Sequence, residues 1–291
     1  MSALTKTRPP ATRKSRRTRE AASAIPMSTF MWALAALYAF PLIWFLLSAF
    51  KPGSELFTYP LTILPEDPTT AGFEQAWDRF DFALYFSNTL AVAVTTTVLT
   101  VFASAMTGYA LAKYQQYRWV KVFFVCLLAT TMLPTEVILS PTFVVIRDLG
   151  MYNTMAGLVV PSILTATGVF MFRQFFVSIP DDLIEAARID GAREVGIFFR
   201  IMLPMSRPII MTLAIFSFQW RWNDYIWPLI VVGEQRKFTL QIALRSIVGA
   251  ENIDWPLLLA ASVLSILPLV LIYLVFQKYV MNEDLNAGLK D

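Results

Sequence analysis

The stretch DDLIEAARIDGAREVGIFFRIMLP, residues 181–204, is a charged segment between two very apolar ones. Asp182 is a favourable residue for capping the start of a helix, and the carboxylate of Glu185, three residues later, can bond back to the backbone N–H of the cap. Gly191 suits the left-handed residue that ends a helix. The pattern therefore predicts a short helix over about residues 182–190, outside the bilayer.

The predicted helix has a face of small and acidic side chains. Four residues share this face at spacings of three and four: Leu183, Ala186, Ala187 and Asp190. The alanines would let the surface of another protein approach the backbone closely. A helix resting on the membrane is the alternative, but alanine offers little to lipid, and anionic headgroups would repel the acidic residues. We therefore expect a protein-docking helix, with Phe198 and Phe199 of the following turn resting on the membrane.

The rest of the chain has the composition of a membrane protein. Its 291 residues are 56% hydrophobic and 15% charged, with a mean hydropathy of +0.56. A soluble domain of this size could hide so much apolar surface only with difficulty. We expect an all-α integral membrane protein with six transmembrane helices. Apolar runs place them at about residues 28–50, 85–112, 120–141, 155–177, 207–232 and 257–280.

Residue types exclude several kinds of site. One cysteine and no histidine rule out a disulfide within the chain and a metal site or catalytic triad that needs histidine. No glycine is followed by lysine, so the G-x-x-x-x-G-K-[ST] loop that cradles phosphates is missing. We expect no catalytic residues, no metal and no cofactor on this chain. If ATP drives transport, another polypeptide binds it.

The charge distribution predicts orientation and boundaries. Residues 1–27 hold seven lysines and arginines against one acidic residue. With the N-terminus inside, seventeen basic residues fall on the inner side and six on the outer side, so both termini are expected in the cytoplasm. The basic tail lacks aromatic residues, which favours contact with anionic membrane lipid over nucleic acid. The predicted regions are this tail, a permease domain over 28–281 and a cytoplasmic tail over 282–291.

The segment EAARIDGAREVGIFFRIMLP resembles the EAA motif of ABC-importer permease subunits. Glu-Ala-Ala is followed by three residues and a glycine, and then by nine residues and Ile-x-Leu-Pro. Four further stretches resemble the carbohydrate, MalG-like branch of these permeases. They are LLSAFKPGSELF (46–57), NTLAVAV (88–94) leading to GYALAKY (108–114), LPTEVILSP (133–141) and WNDYIWPLIV (222–231).

This resemblance implies a type I ABC-importer permease fold and a sugar or sugar-like solute. It implies a second, MalF-like permease subunit, an ABC ATPase homodimer that holds ATP and Mg, and an extracellular solute-binding protein. The cellular location that the resemblance implies is the plasma membrane of a bacterium or archaeon. The predicted helix would be the coupling helix that transmits ATP-driven closure. The residues that the resemblance assigns to this role are Glu185, Ala186, Ala187, Asp190 and Gly191.

Polar residues at membrane depth are candidates for the translocation pathway. Glu136 lies between two prolines, and the stretch QWRWNDYIWPLI, residues 219–230, suits sugar binding because aromatic faces cover a pyranose while amides and carboxylates bond its hydroxyls. An aromatic belt with an Arg221–Asp224 ion pair is an equal alternative. The candidate pathway residues are Asn88, Glu136, Trp220, Trp222, Asn223 and Asp224.

The resemblance also points to an outer loop, at about residues 234–254, that would extend toward the binding protein. The candidate contacts in it are Gln241, Arg245 and Asn252. Two other classes of protein are alternatives. An ion-coupled secondary transporter would need several intramembrane carboxylates or histidines and inverted repeats. A membrane-embedded enzyme would need a nucleophile–base pair or a set of metal ligands, and the spans contain neither.

Overall fold

The computed structural model describes residues 13–287, and the side chains of residues 29–275. The predicted N-terminal and C-terminal tails therefore lie partly outside the described residues, and their boundaries stay predictions. The chain forms two units, residues 1–71 and residues 72–291. Every regular element in the described part of the chain is helical.

The first unit contains one long helix, α1 (Arg13–Ser48), and an irregular segment. Residues Thr29–Ser48 of α1 are apolar and long enough to cross a membrane, as predicted. Beyond the helix, Lys51 Nζ lies 3.3 Å from Glu55 Oε1 and donates to Thr62 Oγ1 at 2.8 Å. Thr62 Oγ1 in turn donates to Glu55 Oε1 at 2.8 Å. Together these bonds hold residues 51–62, which begin within the stretch LLSAFKPGSELF, in a closed loop.

The second unit holds the remaining helices. They are α2 (Ala71–Asp78), α3 (Phe82–Lys113), α4 (Arg118–Ala129), α5 (Thr135–Asp148), α6 (Met155–Val159), α7 (Ala166–Val177), α8 (Asp181–Ile189), α9 (Glu194–Ile197), α10 (Leu203–Met205), α11 (Arg207–Trp222), α12 (Ile226–Val231), α13 (Leu240–Val248) and α14 (Trp255–Ala287). A π-helical turn, Phe198–Met202, joins α9 to α10.

Three helices of the described residues are each long and apolar enough to cross a membrane, and the number rises to six if each bent pair of helices counts as one span. The three are part of α1, all of α3 and the first part of α14. The third predicted span is bent by 111° between α4 and α5, and the fourth by 43° before α7. By length and composition the described helices are therefore consistent with the six predicted spans, three of them as bent pairs.

Proline explains the break between α4 and α5. Proline lacks an N–H and its ring clashes with the carbonyl of the residue four positions earlier, so a helix tends to end before it. α4 and its 3₁₀ turn stop at Met132, just before Pro134. The predicted span over 207–232 is divided into two helices, because α11 ends at Trp222 and α12 begins at Ile226, with Pro228 in its first turn.

Helix α3 lies at the centre of the second unit and packs against α7 and α11. A Cβ at Gly108 would lie 2.6 Å from the Cβ of Phe172, so only glycine lets α3 and α7 approach this closely. Buried hydroxyls line the same helix at Thr89, Thr96 and Thr100. Thr100 Oγ1 donates to the carbonyl of Ser162 at 2.8 Å, a bond between spans.

Candidate coupling and translocation sites

Helix α8 corresponds to the predicted coupling helix within one residue at each end. The predicted capping box does not form. Pro180 occupies the N-cap position in an extended conformation, no side-chain cap bond is present, and Asp181 and Asp182 both lie in the first turn. Because α8 starts one residue earlier than predicted, Asp182 is helical and cannot act as a cap. Its charge still complements the positive end of the helix dipole.

The end of α8 is a Schellman motif. Gly191 has a φ of +80°. Its N–H donates to the carbonyl of Arg188 at 3.0 Å, and the N–H of Ala192 donates to the carbonyl of Ala187 at 2.9 Å. This is the bond pattern that satisfies the last carbonyls of a helix when a left-handed residue follows. The prediction for the backbone of Gly191 is confirmed, and the turn sends the chain toward α9.

The two alanines of the motif face in different directions. Ala186 is exposed, as are Leu183, Glu185 and Asp190. Ala187 is buried in a cluster with Phe176, Ile179 and Phe198. The prediction that both alanines lie on the docking face is therefore wrong. Consecutive helical residues point about 100° apart, and tertiary packing selects Ala187 for the inner side.

Glu194 ties α8 and α9 to the end of α3. Its carboxylate pairs with Lys113 of α3 and, at 3.2 Å, with Arg188 of α8. Tyr109 Oη donates to the same carboxylate at 3.2 Å. Sequence reasoning missed this residue because its partners on α3 are about eighty positions away along the chain. The available signal was an acidic residue directly after the basic Arg193 and six positions after the basic Arg188.

The segment after α9 turns the chain into the membrane helices. Phe198 is buried and its ring centre lies 5.4 Å from that of Tyr109, whereas Phe199 stacks on Phe102 and stays partly exposed. The expectation that Phe198 rests on the membrane is wrong, because the π-helical turn rotates it into the core. The segment Glu194–Met205 meets α11 at an angle of 75°.

A cavity of about 630 Å³ lies where α5 approaches the break after α11. We call it the translocation cavity after the predicted pathway residues in its lining, whose role in transport stays a prediction. It brings together four of the six candidate pathway residues: Glu136, Trp220, Asn223 and Asp224. The ion pair of the alternative interpretation also forms, because Arg221 Nη1 lies 3.0 Å from Asp224 Oδ2 and donates to Ser162 Oγ at 2.8 Å. The stretch thus combines a satisfied ion pair with an open cavity whose lining is mostly apolar and holds a few polar groups.

The other two candidate pathway residues lie elsewhere. Trp222 is completely buried, stacks on Phe218 and donates from Nε1 to the carbonyl of Ser265 at 3.0 Å. Asn88 donates from Nδ2 to the carbonyls of Arg236 and Phe238, at 2.8 and 3.0 Å. Both side chains are used in packing within this chain, so neither lines the cavity.

The predicted outer loop, about residues 234–254, contains the amphipathic helix α13. Its apolar face is buried, while Arg245 and the more distal Asn252 are exposed. Gln241 is half-buried and donates from Nε2 to the carbonyl of Trp222 at 3.4 Å. Near the start of the loop, a hydrogen-bonded ion pair with Lys237 lowers the pKa of Glu234. Two of the three candidate contacts thus face outward.

The fold is that of a solved transporter chain. A chain in the crystal structure of a bacterial ABC transporter, described as involved in the import of the acidic polysaccharide alginate, matches with a TM-score of 0.80 and 24% sequence identity. The match covers 94% of this chain and 99% of the other. The predicted permease fold is thereby confirmed.

Proteins with similar sequences are also permease proteins of transport systems. The arabinooligosaccharides transport system permease protein AraQ of Bacillus subtilis is 37% identical over 91% of this chain and 95% of its own length. The sn-glycerol-3-phosphate transport system permease protein UgpE of Pectobacterium atrosepticum is 33% identical over 82% of this chain and 88% of its own. Residues 104–282 match the model of the binding-protein-dependent transport system inner membrane component. The chain belongs to this family of membrane transport subunits.

Proposed function

We propose that this chain forms one half of the membrane pathway of an ATP-driven importer for neutral oligosaccharides. Membership of the family makes the chain a transport subunit rather than an enzyme, and it does not support the ion-coupled alternative. The solute class is suggested by the permease relative whose name gives arabinooligosaccharides. A MalF-like permease, an extracellular binding protein and an ATPase homodimer holding ATP and Mg complete the assembly.

The proposed orientation places α8 and the Lys113 end of α3 in the cytoplasm of a bacterial or archaeal cell. The excess of basic residues on this side supports it, and it puts both termini inside. The exposed residues Leu183, Glu185, Ala186 and Asp190 then face the ATPase. Ala187 and Gly191 shape the helix and its end rather than forming the contact surface.

The observation that carries this proposal is the attachment of α8 to the spans. Glu194 joins α8 to α3 through Arg188 and Lys113. The π-helical turn and α10 connect the same segment to α11, which ends at the translocation cavity. A displacement of α8 by closing ATPases would therefore move α3 and α11 together, and these two helices pack on each other.

The charges of the cavity support a neutral solute. Asp224 neutralises Arg221, whereas Glu136 forms no ion pair with any described residue. The cavity thus keeps one uncompensated negative charge, which would repel an anionic solute. Trp220 offers an aromatic face to the apolar side of a sugar ring, and Asn223 and Glu136 offer an amide and a carboxylate to its hydroxyls.

The direct test is retention of the ATPase by a variant of the exposed face. Ala186→Arg places a bulky cation where a partner must approach the backbone. We expect the variant chain to insert normally and to lose both ATPase retention on affinity purification and ATP-dependent uptake. Ala71→Arg, at an exposed alanine that starts α2 and lines neither cavity, is the matched control and should keep both activities. Full retention and uptake by Ala186→Arg would contradict the proposed docking face.

A further inference from the structure

A second polar cavity, of about 490 Å³, lies at the Lys113 end of α3. It opens between the end of α3, the first turn of α4, the last turns of α7 and the first turns of α8. Its charged lining residues are Lys113, Lys121, Arg173, Arg188, Asp181 and Glu185. None of them lines the translocation cavity, which uses a different set of residues.

Two of the four cations in this cavity are available to a ligand. Lys113 and Arg188 already pair with Glu194. Lys121 and Arg173 form no ion pair with any described residue. Arg173 is nevertheless held in place, since its Cζ lies 4.3 Å from the ring centre of Phe124 on α4. A positioned guanidinium without a carboxylate partner suits a phosphate group.

The cavity also has two available carboxylates. Asp181 and Glu185, on α8, form no ion pair with the described part of the chain. A purely anionic ligand would be repelled by these two groups, and a purely cationic ligand by Lys121 and Arg173. The ligand that satisfies all four carries a phosphate and an ammonium group.

The depth of the cavity matches the polar layer of a membrane. Lys121 is three residues inside α4, and Arg173 is four residues from the end of α7. At 1.5 Å per residue these positions lie about 5 and 6 Å from the helix ends. The polar layer on each side of a bilayer is of the order of 5–8 Å thick. On α4, Trp119, Val122 and Val125 are exposed and offer an apolar surface to acyl chains.

We propose that this cavity binds the headgroup of phosphatidylethanolamine from the inner leaflet. Lys121 and Arg173 hold the phosphate and Asp181 accepts hydrogen bonds from the primary ammonium, while Glu185, at the edge of the surface that faces the ATPase, adds negative charge to the cavity. The quaternary ammonium of phosphatidylcholine has no N–H to donate, and phosphatidylglycerol has no cation for the carboxylates. The bound lipid would tie α8 to α4 and α7. The proposal does not depend on which solute is carried.

The experiment is a lipid titration of the assembled importer, purified in mild detergent and followed by native mass spectrometry. Phosphatidylethanolamine, phosphatidylcholine and phosphatidylglycerol with identical acyl chains are the probes. We expect phosphatidylethanolamine to bind about tenfold more tightly than either of the others, since charge-assisted hydrogen bonds are lost with each. Lys121→Gln and Asp181→Asn should each remove most of this preference. Arg118→Gln, an equal change of charge on α4 outside the cavity lining, should leave it intact.

Three results would overturn the proposal. The first is equal binding of all three lipids, or a preference that survives both cavity variants. The second is tighter binding of phosphatidylglycerol that is strengthened by Asp181→Asn, which would indicate a simple anion site. The third is a preference for phosphatidylethanolamine that the membrane subunits show without the ATPase and the assembled importer lacks, which would make the ATPase the occupant. Lys121 is exposed, so its variant tests the site without risk to folding.

Discussion

The coupling segment, residues 181–205, and the translocation cavity lie at opposite ends of α11. The coupling segment is exposed and depends on ion pairs between residues far apart in sequence, such as Lys113 and Glu194. The cavity is recessed, and its ion pair joins Arg221 to Asp224, three residues away. α11 has 16 residues and spans about 24 Å. An ion pair between distant residues thus attaches the coupling segment to the bundle, whereas the cavity wall combines a local ion pair with one long-range hydrogen bond, from Arg221 to Ser162.

The largest effect on the coupling segment is expected from a substitution that disrupts the C-terminal end of α8. Gly191→Pro is incompatible with the φ of +80°, because proline fixes φ near −65°, and it removes the N–H that bonds to Arg188. We expect a local cost of roughly 3 kcal/mol or more. ATP-dependent uptake in vesicles should fall to background, and the ATPase should be lost on purification.

Gly196→Ala provides the matched control for this glycine. Gly196 lies in α9, has no atom close to the position of an added Cβ, and needs no left-handed backbone. This variant should assemble and transport like the parent chain. Normal uptake by Gly191→Pro would mean that the geometry of the α8 end does not matter for coupling.

The next largest effect tests the attachment of α8 to α3. Glu194→Gln removes the carboxylate that pairs with Lys113, which is mostly buried and would be left without its counter-charge. Loss of such a partner costs about 1–3 kcal/mol, so the amount of solute moved per ATP hydrolysed should fall about tenfold. ATPase retention should persist, because the exposed face of α8 is unchanged.

The control for Glu194 is Glu234→Gln, which breaks the half-exposed ion pair with Lys237 in the outer loop. Exposed pairs contribute little, so solute moved per ATP should not change measurably. An equal loss in both variants would show that the Glu194 cluster is no more important than a surface pair.

The two regions also differ in how much of them the sequence predicts. The bounds of α8 and the left-handed Gly191 depend on nearby residues, and the pattern predicts both. The inward direction of Ala187 depends on Phe176 and Phe198, which distant parts of the fold bring to it. Local propensity therefore defines the helix, whereas tertiary packing defines which side of it a partner can reach.

The translocation cavity, too, is predicted from the sequence only in part. Polar residues in an apolar span marked Glu136 and the stretch 219–230 as unusual. Composition could not separate Trp220, which lines the cavity, from Trp222, which is buried against α14 through Ser265. Both lie on α11, where consecutive residues point about 100° apart, so packing against α14 decides which of the two is buried.

A smaller effect is expected from the ion pair of the cavity wall. Asp224→Asn leaves the mostly buried cation of Arg221 without its counter-charge and weakens the bond to the N–H of Trp227. We expect a cost of about 1–2 kcal/mol in thermal stability and about a threefold lower uptake rate. Thermal unfolding in detergent and initial uptake rates check this. Unchanged stability would show that solvent screens the pair.

The smallest effect should come from Glu136, whose side chain is exposed and has no ion pair with a described residue. Glu136→Gln keeps the size and hydrogen bonding of the side chain, so uptake of a neutral arabinooligosaccharide should change by less than about twofold. Removing the uncompensated charge should raise uptake of a uronate-containing analogue about fivefold, since two charges a few ångströms apart in a partly hydrated cavity interact by about 1 kcal/mol. Asp224→Asn should lower the uptake of both solutes, whereas Glu136→Gln should mainly change the ratio of their uptake rates. The two variants therefore distinguish a residue that maintains the shape of the cavity from one that selects the solute. Equal changes for both solutes in Glu136→Gln would remove the argument for a neutral solute.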